Sequence, residues 1–167
     1  ASTPSWRNYL FGSLGAGGRA VFALDVTNSG AMTASCVRWE LSDAEDVDIG
    51  YMTTSVKVGV LANGRWVAIF GNGFSSTNGK AVLFVVDIEY AASSNAATRA
   101  SAVTKLVLDS AGSNGLGGVT LIPDPVTGRT DLVYVGDLKG TLWKIKYNTG
   151  TNTFAVDAAS STGLFSA

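Results

Sequence analysis

The chain has 167 residues, 46% of them hydrophobic, so it is long and apolar enough to bury a core and is not a disordered segment. A formal net charge of −1 supplies no basic stripe, which argues against a nucleic-acid surface. No apolar run approaches the ~20 residues that cross a bilayer as a helix. Histidine is absent and Cys36 is the single cysteine. Ser-His-Asp and Cys-His catalytic sets and His-ligated zinc are therefore ruled out, as is an internal disulfide. The 20 glycines, with abundant Ser, Thr and Asn, fit a secreted β-protein. The opening Ala-Ser-Thr-Pro-Ser-Trp has neither an initiator methionine nor a basic-then-apolar leader, as expected of a processed or excised piece.

Taken in chain order, the first predicted strand ends Leu10-Phe11-Gly12-Ser13, and a glycine-rich connection leads to Val21-Phe22-Ala23-Leu24-Asp25-Val26. Cys36-Val37-Arg38-Trp39-Glu40-Leu41 alternates and reads as a further strand, with Val37 and Trp39 on one side and Cys36 and Arg38 on the other. Residues 55–61 lead through Ala62-Asn63-Gly64, a strong hairpin signal because Asn and Gly tolerate positive φ, into Ile69-Phe70-Gly71-Asn72. Leu83-Phe84-Val85-Val86-Asp87-Ile88 follows. The Ala- and Ser-rich residues 90–102 read as a loop with room for one helical turn, before the strand at 102–108. Residues 118–122 then lead through Pro125-Val126-Thr127-Gly128 to Tyr134-Val135-Gly136-Asp137, Leu142-Trp143-Lys144-Ile145-Lys146-Tyr147 and a strand at 153–156.

The same two-strand pattern occurs three times: an apolar pair, Gly, a small polar residue, then a strand with an aromatic second and an aliphatic fourth. Phe22 with Leu24, Phe84 with Val86 and Trp143 with Ile145 each share a strand face by period-2 spacing. With the intervening strands, each repeat has the content of one propeller blade. The predicted fold is all-β: a partial β-propeller of about three four-stranded antiparallel blades in one region, 1–167, with units near 9–61, 62–122 and 123–167. A β-sandwich is the competing fold, but it does not require the same motif three times. A blade cannot cover both its faces alone, so further blades or a second copy of the chain are expected beside it.

Four stretches carry a family resemblance. They are the residues from Gly12 to Val26; Trp39-Glu40 with Asp48-Ile49-Gly50-Tyr51; the residues from Trp66 to Gly73; and those from Val135 to Trp143. Together they resemble the propeller of the type IV pilus tip-associated adhesin and biogenesis family, the PilY/PilC type. The resemblance implies an extracellular, pilus-associated location reached through the periplasm. It also implies pilin or pilus-assembly partners, control of pilus extension and retraction, and adhesion, including to host surfaces. The first stretch by itself also fits quinoprotein-type propellers. A fragment of a quinone-cofactor dehydrogenase is therefore the enzyme alternative, and a purely structural interaction module is a third reading. No catalytic set is expected and no cofactor is required.

The family often carries a calcium loop of alternating oxygen ligands closed by an acid. The matching residues here are 123–131, where Asp124, Thr127 and Asp131 are the candidate ligands and Gly128 the turn residue. Pro123 and Pro125 stand where the first ligands belong, so a proline-tightened hairpin competes with calcium. Asp43, Glu45, Asp46 and Asp48 form an acidic cluster that reads as a cation site or, more commonly, a solvated loop. Trp39, Trp66 and Trp143 read as packing between strands or blades, with a carbohydrate-stacking platform as the alternative. Cys36 reads as a packed small residue, and residues 71–79 as a polar turn. Glycines 15, 17 and 18 are not a dinucleotide fingerprint, because a strand and not a helix is predicted to follow.

Overall fold

The computed structural model describes residues 6–93, 95–158 and 163–166. Its strands form three antiparallel sheets. The first contains β1 (Tyr9–Ser13), β2 (Ala20–Asp25) and β3 (Val37–Ser42) in that order. The second contains β4 (Lys57–Val60), β5 (Trp66–Gly71), β6 (Ala81–Asp87) and β7 (Val103–Asp109). The third runs β8 (Leu116–Pro123), β9 (Thr130–Asp137), β10 (Thr141–Asn148) and β11 (Thr153–Val156). The short β12 (Phe165–Ser166) pairs with Thr141 and Leu142 of β10, on the edge that β11 shares further along at 145–148.

Each sheet is a meander, and consecutive sheets stack face to face. The all-β, blade-by-blade architecture read from the repeat is what the structure has. The blade limits differ from the expected units. Residues 57–60 open the second sheet instead of closing the first, and residues 116–123 open the third. The reason is local: Leu61 N–H bonds the Arg65 carbonyl at 2.9 Å and Asp124 N–H bonds that of Arg129 at 2.7 Å. Tight hairpins of this kind make β4 the neighbour of β5 and β8 the neighbour of β9. The first sheet accordingly has three strands among the described residues.

Burial follows from the stacking. The β6 sequence Ala-Val-Leu-Phe-Val-Val-Asp is buried at every position, the pattern of a strand covered on both faces. Its Ala81, Leu83 and Val85 pack with Val133, Val135, Trp143 and Ile145 of the third sheet. Its Val82, Phe84 and Val86 pack on Val21, Ala23 and Trp39 of the first. The aromatic second positions thus face the preceding sheet in the second and third copies. Phe22 and Leu24 point the equivalent way, away from the second sheet, and are only half-buried.

In the first copy the leading strand is shifted by one residue. Tyr9 and Phe11, not Leu10, pack toward the second sheet, while Leu10 is exposed. Gly12 lies opposite Phe22 in the ladder, and a Cβ there would come within 2.6 Å of the Phe22 ring. The ring therefore occupies the space a side chain at position 12 would need.

Residues 90–102 are more helical than expected. Two short helices, α1 (Ile88–Ala91) and α2 (Ala96–Ser101), cross from β6 to β7. Asp87 and Asn95 cap them, accepting from Tyr90 N–H at 2.8 Å and Thr98 N–H at 3.1 Å. Among the described residues no helix is long and apolar enough to cross a membrane.

Candidate functional site

Polar side chains gather where the loops of adjacent sheets meet: residues 43–56, 72–80, 110–115 and 138–140. Asn72, directly after the Gly that ends β5, is fully buried. Its Oδ1 accepts from Val82 N–H at 3.1 Å and from Leu116 N–H at 3.0 Å. Its Nδ2 donates to the Asp48 carbonyl at 2.8 Å and to that of Lys80 at 2.9 Å. All four amide valences are used, and they join the first connection, the second sheet and the third. Gly73 follows at φ 74°, and a Cβ there would meet the Tyr51 carbonyl oxygen at 2.3 Å, so the close backbone approach requires glycine.

Asn114 does the corresponding work at the next junction. It donates to Asp109 Oδ2 at 2.7 Å and Asp137 Oδ2 at 3.1 Å, and accepts from Leu138 N–H at 3.0 Å. Asp137 also receives the Trp143 indole N–H at 2.9 Å and Thr141 N–H at 2.8 Å. Lys139 lies 2.8 Å from Asp109. The Lys139 ammonium, then the Ala111 N–H and Asn114, hold the Asp109 carboxyl down at about 2.

Asp48 is the third anchor. Its buried carboxylate accepts from Asn78 at 2.6 Å and from Lys105 Nζ at 2.8 Å, and the same ammonium reaches Asp46 at 2.9 Å. Burial by itself pushes the Asp48 carboxyl up, but the Lys105 and Asn78 bonds outweigh it, so it lies below the usual carboxylate range. Burial likewise works against the Lys105 charge, and the two aspartates more than offset it, raising that ammonium. The solvated-loop reading of residues 43–48 thus fails for Asp46 and Asp48, which clamp a lysine of β7. Glu45 turns back on Ser42, accepting from both its N–H and its hydroxyl.

The calcium candidates are placed as follows. Asp124 Oδ1 accepts from Val126 N–H at 3.1 Å, Thr127 N–H at 2.7 Å and the Thr127 hydroxyl at 2.8 Å. The Thr127 bonds, first its N–H and then its hydroxyl, pull the Asp124 carboxyl below its ordinary range. Asp124 and Thr127 are therefore brought together as a turn cap with Gly128 at φ 68°, while Asp131 sits beyond the turn on β9. Among the described residues no group of three or more Asp, Glu, Cys or His converges as a metal cage.

The tryptophans divide. Trp39 and Trp143 are buried, as packing predicts, but Trp66 is 57% exposed and Trp6 is 95% exposed. Both of these line a cleft with Tyr9, Phe11 and Val58 between the first two sheets. Cys36 ends a short helical turn (Ala34–Cys36) ahead of β3, where its Sγ accepts from Thr33 N–H at 3.4 Å, so it is not a strand residue. Gly15 and Gly17 lie in a 3-10 turn that runs into β2, as the absence of a dinucleotide fingerprint requires.

The junction asparagines were not picked out by sequence reasoning, yet a signal was there. The small polar residue after each strand-ending Gly is Ser13, Asn72 or Asp137, and each bonds across a junction, Ser13 through its hydroxyl to the Met52 carbonyl at 2.8 Å.

Residues 2–161 match the family model described as PilY1 beta-propeller domain. The chain belongs to the PilY1 β-propeller family. Two relatives are a type IV pilus biogenesis factor PilY1 homolog of Xylella fastidiosa, 42% identical over 142 residues, and the type IV pilus biogenesis factor PilY1 of Pseudomonas aeruginosa PAO1, 38% identical over 140. Each alignment covers 84% of this chain but only 10% and 11% of those proteins. The crystal structure of the Pseudomonas aeruginosa PilY1 C-terminal domain superposes with a TM-score of 0.79 at 31% identity, over 97% of this chain and 34% of that one. The chain thus spans about a tenth of its curated PilY1 relatives and about a third of the solved PilY1 domain.

Proposed function

We propose that the chain is a non-catalytic segment of the propeller of a type IV pilus biogenesis factor, working at the cell surface in pilus assembly, retraction control and adhesion. One observation supports the non-catalytic part most directly. The carboxylates and amides of the junction loops are spent on one another, with Asn72, Asn114 and Asp48 each satisfied by protein groups, and do not converge on a place for a reacting atom. The naming of the relatives as pilus biogenesis factors supports the rest. In this reading the stacked sheets are a rigid platform, and pilin or a pilus-assembly protein is the partner.

The test uses the full-length parent protein. A strain lacking the parent gene would shed fewer surface pili, and the full-length protein would co-purify with pilin after cross-linking. Normal piliation in that strain, or a visible quinone band in the purified protein, would contradict the proposal.

A further inference from the structure

The Gly-ended hairpins β1–β2, β5–β6 and β9–β10 are equivalent, but only the last two have a strand in front of them. β4 pairs antiparallel with β5, and β8 with β9. Among the described residues no strand lies on the corresponding side of β1. Val26 N–H bonds the Asn8 carbonyl at 2.8 Å and Leu14 N–H that of Ala20 at 3.1 Å, one at each end of the β1–β2 ladder. Backbone groups alternate in direction along a strand. Leu10 and Gly12 are therefore engaged with β2, while Tyr9, Phe11 and Ser13 turn their N–H and C=O groups to the open side.

Two further features mark this edge as one built to be paired. Natural edge strands are blunted by charges, prolines, bulges or shortness. β3, the opposite edge of the same sheet, carries Arg38 and Glu40 and a bulge, where Trp39 pairs with Ala23 and Val37 with Leu24 and Arg38 is the extra residue. β4 has only four residues and starts at Lys57, and β8 has shifts of register and ends at Pro123. β1 is Tyr-Leu-Phe-Gly-Ser, uncharged and in regular register. Beside it, a cleft of ≈ 530 Å³ between the first two sheets is lined by Tyr9, Phe11, Val58 and Trp66. Val58 is 41% and Trp66 57% exposed there.

We propose that the open edge of β1 receives an extended strand from a part of the parent protein outside residues 1–167. It runs antiparallel to β1, bonds the backbone of Tyr9 and Phe11, and lays apolar side chains in the cleft against Val58 and Trp66. The second sheet gives the register. Phe22 pairs with Gly12 as Phe84 pairs with Phe70, which makes Tyr9 and Phe11 the counterparts of Val67 and Ile69. Those two pair with Gly59 and Lys57 of β4. Directly opposite residues share a face, so the residues that meet Tyr9 and Phe11 are the ones that enter the cleft. The PilY1 relatives, of which this chain matches 10% and 11%, have the length to supply such a strand. A tethered segment also outcompetes a free one through its effective concentration.

The test uses the purified full-length parent protein. Amide hydrogen exchange read at single residues should show Tyr9 and Phe11 slowed at least about a hundredfold, as for Val67 and Ile69 under β4. Fast exchange at Tyr9 and Phe11 beside protected Leu10 and Gly12 would overturn the proposal, and so would protection that appears only when pilin is added. Photo-cross-linking identifies the source. With p-benzoylphenylalanine in place of Trp66, the expected cross-link joins position 66 to a peptide of the same molecule outside residues 1–167. In an equal mixture of ¹⁴N and ¹⁵N protein, mixed-isotope cross-links would assign the edge to a second copy and contradict the proposal, as would cross-links confined to residues 1–167.

Discussion

Replacing Asn72 with alanine is expected to lower the unfolding free energy by about 4 kcal/mol, near the upper end for a single substitution. The truncation leaves the Val82 and Leu116 N–H groups and the Asp48 and Lys80 carbonyls without their partner, all at a fully buried position. Each stranded group costs about 1–3 kcal/mol, and the four costs do not simply add because the loops relax together. Asn72→Asp is expected to be no better. It keeps an acceptor for the two N–H groups but turns a carboxylate oxygen toward two carbonyls. Urea unfolding of both variants against the parent chain reads the effect as a lower midpoint with an unchanged slope. A loss below about 1 kcal/mol in Asn72→Ala would mean that the junctions are held by something other than this amide.

Phe84→Ala is expected to cost about 3–5 kcal/mol. Its ring is fully buried in the face between the first and second sheets, stacked on Phe70 with centroids 5.5 Å apart and planes 8° from parallel. Lys105 Nζ lies 5.9 Å from the centroid, held by Asp46 and Asp48. Phe22 holds the equivalent place one sheet earlier but is only half-buried, so Phe22→Ala should cost nearer about 1 kcal/mol. The contrast is the informative quantity. The two residues share strand position and chemistry and differ in whether a neighbouring sheet covers them. Equal losses in thermal or urea unfolding would remove stacking as the source of the burial energy.

Much of this was legible before any coordinates. The three Gly-ended hairpins appear as β1–β2, β5–β6 and β9–β10, because a polar turn between two alternating apolar runs has few other solutions. The aromatic second position also faces one way in all three sheets. Sheet limits were harder. Residues 43–56 carry the chain from one sheet to the next, and pattern alone does not say whether the strand after such a connection ends one blade or begins another. The hairpins at 61–65 and 124–129 decide it.

Asp87 and Asn95 are readable caps of α1 and α2, but helices this short leave no 3.6-residue apolar period to tell them from a loop. Trp66 shows the limit of alternation: period 2 places it on a face but does not say whether anything lies over that face. The bulge at Arg38 breaks alternation altogether, since one inserted residue reassigns a side chain without leaving a mark in composition. In the sequence Asn72 is only a small polar residue after Gly; two of its four bonds reach residues 24 and 44 positions away along the chain and exist only in three dimensions.

The claim on which the rest depends is that the second sheet is sandwiched, with β6 covered by a sheet on each side. Native-state amide hydrogen exchange tests it most directly. Residues 81–87 should exchange most slowly in the chain, near the global unfolding limit, ahead of β2 and β10, each of which has one uncovered face. If the β6 amides exchange as fast as those of β2, or if β10 outlasts them, the sheets do not stack as described.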